Sequence, residues 1–342
     1  MESITNNNKL KILSIDGGGI KGLYSMYRLK YIEDQFCKPH GLLLNNYFDI
    51  ICGCSVGSII AIGIGLKIPM TDIIKMFEEN MKEIFNKDGC CCNCFLDLIY
   101  KLKQISGKKY DKQVFENIVN QYVQNKTMED IENILCIPSY NISTSQNVVF
   151  KNKGIEDESK YFYYKNINLS DIIMASCSAP TYFEPHNIDN EFYIDGGLWA
   201  NNPTMVGIME ALKHINNNML YNSYKVLSVG NIDNNIYNNI KNPSKQYKFT
   251  HIEKLIDALI NANTDSSNYY SIHICDNTKG KITRLINKTY YKNKNIKKIN
   301  LDDTSDDTIN KLKELAENDN IMDSYLLHDI IEFFENKRTL QI

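Results

Sequence analysis

Ser55 is the residue of this chain best placed for nucleophilic chemistry. It is the centre of Gly53-Cys54-Ser55-Val56-Gly57, a G-x-S-x-G pentapeptide between two apolar stretches, Phe48 to Cys52 and Ile59 to Leu66. A nucleophile placed between a strand and a helix sits on a sharp, strained turn, and small neighbours are needed because the chains pass close together. The following helix points its N-terminus at the hydroxyl, where negative charge develops. Cys54 is the adjacent thiol. The centre of the turn belongs to Ser55, so Cys54 reads as a small buried neighbour.

A serine used in this way needs a base and a group that holds an oxyanion. Asp195-Gly196-Gly197 follows the apolar segment Phe192 to Ile194, which puts a carboxylate at a strand end. The six histidines (His40, His186, His214, His251, His273 and His328) lie in loops or helices without a recognisable motif. Asp195 is therefore the candidate base. Asp16-Gly17-Gly18-Gly19-Ile20-Lys21-Gly22 follows the apolar run Leu10 to Ile15. Consecutive glycine N–H groups at a helix start converge on one anionic oxygen, which makes Gly17, Gly18 and Gly19 candidate oxyanion donors. The same segment also satisfies G-x-G-x-x-G. A dinucleotide site needs a second strand ending in an acid about 20 residues on, and residues 33–46 supply Glu33 and Asp34 but no such strand. Lys21 either attracts an anionic group of the substrate or is a solvated lysine at a helix start. Ser55, Asp195 and the glycine run together read as a serine acyl hydrolase.

The elements that must position these groups alternate along the chain. Strands are expected over Leu10–Ile15, Phe48–Cys52, Ile134–Ile142, Asn147–Phe150, Lys160–Tyr164, Phe192–Ile194 and Tyr224–Val229, with weaker ones near 270–275 and 296–301. Helices are expected over 20–36, Ser55–Leu66, Met70–Phe85, Asp111–Gln124, Ser170–Ser178, Pro203–Ile215, Ile252–Asn263 and Ser305–Asn336, the last broken near Asn318–Asn320. Short strands alternating with helices imply a mostly parallel central sheet with helices on both faces. One domain is expected, with a catalytic core over 9–210 and residues 211–342 continuing it.

Bulk properties fit this reading. The 342 residues carry a net charge of −3, with 43% hydrophobic and 23% charged residues, so the chain lacks the basic excess of a nucleic-acid binder. The first residues lack a basic start followed by an apolar run, and Ile59–Leu66 is too short to span a bilayer. A soluble, intracellular protein, peripheral to membranes at most, is expected. Six of the ten cysteines (Cys37, Cys52, Cys54, Cys136, Cys177 and Cys275) sit among apolar neighbours, as buried free thiols do. Cys90-Cys91-Cys92-Asn93-Cys94 lacks paired zinc spacings and reads as a structural loop or a site of reversible S-acylation.

Four blocks in order resemble the patatin-like phospholipase family. They are Ser14–Gly22, Gly53–Gly57, Ala175-Ser176-Cys177-Ser178-Ala179-Pro180-Thr181-Tyr182-Phe183, and Tyr193-Ile194-Asp195-Gly196-Gly197-Leu198-Trp199-Ala200-Asn201-Asn202-Pro203. The resemblance is strong over roughly residues 9–210. It implies a three-layer α/β/α fold and hydrolysis of glycerolipid or phospholipid acyl esters by a Ser–Asp dyad. It also implies no metal or other cofactor, and transient contact with a membrane surface. Carried over, Ser55 is the nucleophile, Asp195 its base, and Gly17, Gly18 and Gly19 the oxyanion hole. Two departures stand out. The family often has Thr where Cys54 and Val56 stand, which bears on the pocket floor and on substrate contact there. Relatives often keep a small residue and another glycine where Asn231-Ile232 follows Gly230.

Overall fold

The computed structural model describes residues 8–85, 110–153, 164–217, 221–232, 252–287, 299–320 and 324–338. Cys90–Cys94 and most of the expected Lys160–Tyr164 strand lie outside them.

An eight-stranded sheet forms the middle layer. Its strands are β1 (Lys9–Ile15), β2 (Ile50–Gly53), β3 (Ile134–Asn141), β4 (Gln146–Lys151), β5 (His186–Ile188), β6 (Glu191–Asp195), β7 (Ser223–Val229) and β8 (Gly280–Leu285). β3, β2, β1, β7 and β8 lie side by side and parallel. β4 and β6 pair with β3 antiparallel, and β5 pairs with β6. β1 is buried on both faces, as a strand inside a parallel sheet must be. The pleat sends its residues alternately to two cores. Leu10 and Ile12 join Ile208 and Ala211 of α7 (Thr204–Asn217), which follows the short α6 (Gly197–Ala200), and Cys275 of α8 (Ile252–Asn277). Leu13 and Ile15 join the opposite layer, built from α1 (Gly22–Ile32), α2 (Val56–Gly65), α3 (Met70–Ile84), α4 (Lys112–Val123), α5 (Leu169–Cys177), α9 (Asp306–Asp319) and α10 (Ser324–Phe334). The result is the expected α/β/α sandwich with a mostly parallel sheet.

The register of β3 places the chemistry. Cys136 pairs with Cys52 of β2 and with Lys151 of β4. Ser139 pairs with Asp195 of β6 and with Val148 of β4. A strand has two edges, so β2 and β6 share the edge opposite β4. β2 runs parallel to β3 and β6 antiparallel, so their C-terminal ends point at each other along one edge. Gly53 and Asp195 are those ends.

Two expected strands differ. Residues 270–275 continue α8. Their Tyr, Ile and Cys content favours strand locally, but Ser267, Ser271 and Cys275 recur every fourth residue and are all buried. The Ser271 hydroxyl donates to the Ser267 carbonyl at 2.6 Å and Ser267 to the Asn202 carbonyl at 2.8 Å. Packing of that helical stripe overrides the propensity. The strand of this region is Gly280–Leu285. Leu301, placed in an expected strand, lies in a turn whose carbonyl accepts the Ile20 N–H at 2.8 Å. The C-terminal helices break near Asn320, as expected.

Candidate active site

Ser55 links β2 to α2 at φ 52° and ψ −128°, a region where a non-glycine residue is strained. The turn closes only because its flanks are glycine. A Cβ on Gly53 would lie 2.0 Å from the Gly57 carbonyl oxygen, and one on Gly57 would lie 2.4 Å from that of Ile15. Side chains then hold the strained residue. The Ser55 N–H donates to Ser176 Oγ at 3.1 Å, and Ser176 Oγ donates to the Pro138 carbonyl at 2.8 Å. Ser58 Oγ donates to the Ser55 carbonyl at 2.6 Å.

The head-on strands bring Asp195 to this hydroxyl. Ser55 Oγ donates to Asp195 Oδ2 at 2.7 Å across 140 residues of chain. The Gly197 N–H donates to Oδ1 at 2.7 Å, which fixes the carboxylate plane. Burial raises the Asp195 pKa from 3.8 to about 6, and the Gly197 and Ser55 hydrogen bonds offset part of that rise. Such a carboxylate is ionised at neutral pH and still basic enough to accept a proton. Cys54 Sγ lies 4.0 Å from Asp195 Oδ1. Complete burial and then the Asp195 charge hold its thiol far above the ordinary value, so Cys54 is a packed thiol rather than a nucleophile. All six cysteines described are buried and free, as expected from their neighbours.

The glycine run lies on the other side of Ser55. A Cβ on Gly17 would come within 3.1 Å of Ser55 Cβ and 2.5 Å of Asn201 Oδ1. Gly19 has φ +56° and faces the Leu301 carbonyl at 2.3 Å from a would-be Cβ, so only glycine fits. One expectation needs correction. The Gly17 N–H already donates to the Asn201 carbonyl at 2.9 Å, so it is occupied. Among the described residues, the Gly18 and Gly19 N–H groups donate to no protein acceptor.

These groups border one cavity of about 320 Å³. Its apolar lining includes Val56, Ile59, Phe77, Phe115 and Phe183 and, from α8, Ile256 and Ile260. Val56, the residue after Ser55, is one of those lining residues. Lys21 also borders the cavity but is buried, not a solvated lysine at a helix start. None of the described lining residues is a histidine.

Several residues that shape the site went unassigned from sequence. Arg284 of β8 makes a two-pronged contact with the buried Asp16 carboxylate, at 2.6 and 3.2 Å, and donates to Ser228 Oγ at 2.5 Å. Asn201 is clamped by α8: its N–H donates to Asn263 Oδ1 and its Nδ2 to Thr264 Oγ1, both at 2.9 Å. Ser176 and Asn201 did lie in blocks that resemble the family, which was their only signal. Arg284 carried none.

A family model described as patatin-like phospholipase matches residues 13–208, a span that holds Ser55, Asp195 and the glycine run. The chain belongs to the patatin-like phospholipase family. A "cGAMP-activated phospholipase" of Escherichia coli is 26% identical over 238 residues, covering 67% of this chain and 64% of that protein. The Vibrio cholerae protein of the same name is 28% identical, covering 66% and 65%. "Patatin-like protein 2" of Oryza sativa subsp. indica is 28% identical, covering 60% and 53%. The matched region thus spans just under two thirds of the first of these relatives, and about half of the rice protein. Among the described residues of this patatin-like chain, no helix is long and apolar enough to cross a membrane.

Proposed function

We propose that this patatin-like protein hydrolyses fatty-acyl esters of glycerolipids through Ser55 and Asp195. The observation that carries the reading is the 2.7 Å hydrogen bond from Ser55 Oγ to Asp195 Oδ2, set at the floor of an apolar cavity. Asp195 accepts the Ser55 proton as Oγ attacks the ester carbonyl carbon. The carbonyl oxygen becomes an oxyanion held by the Gly18 and Gly19 N–H groups and by the α2 N-terminus. The tetrahedral adduct collapses, the ester C–O bond breaks, and the alcohol leaves with the proton from Asp195. Water then attacks the acyl-enzyme, gives a proton to Asp195, and the fatty acid is released as Ser55 regains its hydrogen. No step calls on a metal. The aromatic and aliphatic wall suits an acyl chain. Leu255 and Leu259, 51% and 50% exposed on α8 next to cavity-lining Ile256 and Ile260, suit transient contact with a lipid surface.

A general carboxylesterase or a protein deacylase uses the same machinery, and an inactive lipid-binding protein keeps only the cavity. One assay separates them: hydrolysis of p-nitrophenyl butyrate and of phosphatidylcholine vesicles by wild type, Ser55→Ala and Asp195→Asn, with and without chelator. The expected outcome is vesicle hydrolysis that survives chelator, vanishes in both variants, and rises with pH around a midpoint near the Asp195 value of about 6. Full activity in Ser55→Ala overturns the mechanism. Activity on the soluble ester alone moves the reading to an esterase.

A further inference from the structure

An oxyanion hole works only if its N–H groups face the substrate, and nothing in a glycine's side chain sets that direction. A trans peptide is planar, with its C=O and N–H pointing in opposite directions. Whatever binds the carbonyl therefore aims the N–H. For the Gly18–Gly19 peptide the local turn suffices, because the Gly18 carbonyl accepts the Lys21 N–H at 3.2 Å. For the Gly17–Gly18 peptide the partner comes from far away in sequence: the Asn231 side-chain amide donates to the Gly17 carbonyl. We propose that Asn231 is a positioning residue that aims the Gly18 N–H into the cavity. The inference rests on the hydrolase reading above.

The register of the sheet delivers Asn231 to this point. Ile15 of β1 pairs with Val229 of β7, and the pairing continues as the Asp16 N–H donates to the Val229 carbonyl at 3.0 Å. Two residues past each strand end, Gly17 and Asn231 stand side by side. The Gly230 step is pinned on two sides. Its N–H donates to the Leu285 carbonyl at 2.8 Å, and Ser25 Oγ donates to its carbonyl at 3.0 Å. Arg284 packs 3.1 Å from a would-be Cβ on Gly230 while holding Asp16. The Asn231 amide is thus offered from a fixed backbone.

The identity of residue 18 fits the same assignment. A Cβ there would lie 2.1 Å from Asn231 Nδ2. The approach of Asn231 therefore leaves no room for a side chain at 18. Asn231 itself lies past the segment matched by the family model, residues 13–208.

The test compares wild type with Asn231→Ala and Asn231→Asp. The aspartate keeps the shape but turns a carboxylate oxygen toward the Gly17 carbonyl. Each is assayed with p-nitrophenyl butyrate and with two inhibitors. A medium-chain trifluoromethyl ketone adds Ser55 Oγ to its carbonyl carbon, passes the proton to Asp195 and forms an oxyanion. Its methyl ketone counterpart stays trigonal. Losing a whole oxyanion donor costs on the order of 10²–10³ in rate, so a misaimed one is expected to cost about tenfold in Asn231→Ala and about a hundredfold in Asn231→Asp. The loss should fall on kcat and on trifluoromethyl ketone affinity, with KM and methyl ketone affinity within about twofold, too little for an interaction made in the ground state. Gly18→Ala should lose a similar factor, and Gly18→Ala with Asn231→Ala no more than Gly18→Ala alone. A kcat of wild-type size in Asn231→Asp overturns the assignment. So does equal weakening toward both ketones, or loss of folding in both Asn231 variants, either of which marks a general structural role. Wild-type activity that survives Ser55→Ala overturns instead the hydrolase reading, before any Asn231 variant is measured.

Discussion

Replacing Asp195 by asparagine should make the protein more stable at alkaline pH while removing its proposed activity. The carboxylate is buried and its pKa is pushed from 3.8 up to about 6 by desolvation. A raised acid pKa means that folding favours the neutral form. This contribution to stability is fully present below about pH 4 and is lost as pH rises through 6. The gap between 3.8 and about 6, at 1.36 kcal/mol per pKa unit, makes the ionised Asp195 cost about 3 kcal/mol of stability at pH 8. Asparagine keeps the shape. Its Oδ1 still accepts the Gly197 N–H, and its Nδ2 donates to Ser55 Oγ where the carboxylate accepted. Urea unfolding of wild type and Asp195→Asn, read as midpoints between pH 4 and 8, should show a gain of only about 0.5 kcal/mol at pH 4 and one approaching about 3 kcal/mol at pH 8. A difference independent of pH, or no gain at pH 8, would refute the claim that desolvation sets the basicity of this carboxylate.

Ser176→Ala removes the hydroxyl that joins the Ser55 N–H to the Pro138 carbonyl, leaving two backbone groups unpaired; a loss of about 1–3 kcal/mol in unfolding free energy is expected, with a fall in kcat, and unchanged kcat and urea midpoint would dismiss it as packing. Arg284→Leu removes the two-pronged contact with the buried Asp16 carboxylate and should cost about 3–5 kcal/mol. Arg284→Lys keeps the charge but not the two-pronged geometry and should fall between the two in urea unfolding; equal midpoints for all three proteins would show that this contact does not anchor the glycine run.

The parts of the site legible in the sequence are those whose requirements are local. Ser55 is flagged by glycines that its own turn demands, and Asp195 by the small residues that follow a strand end. The glycine run is visible because Gly19 cannot carry a side chain at φ +56°. Asn231, Asn201 and Arg284 are ordinary residue types whose roles depend on strand order. Only the pairing of β1 with β7, and of β7 with β8, sets Asn231 and Arg284 beside residues 16–17. The same division explains the fold. Buried strands and amphipathic helices announce themselves by period. Residues 270–275 read as a strand because their side chains favour one, while the contacts that hold this stretch in a helix run to Asn202 in another element.

The meeting of β2 and β6 end to end has a consequence for the chain as it is made. Synthesis delivers Ser55, its elbow and the glycine run well before Asp195. During that interval the hydroxyl has no carboxylate to take its proton and is an ordinary alcohol. Even after Asp195 emerges, the base reaches the serine only when β6 docks antiparallel on β3, and α8, which clamps Asn201, is translated later still. On the mechanism proposed above, a nascent or truncated chain lacks the assembled Ser55–Asp195 pair. On that reading the topology would delay reactivity until the sheet is assembled, as a removable propeptide does in other enzymes.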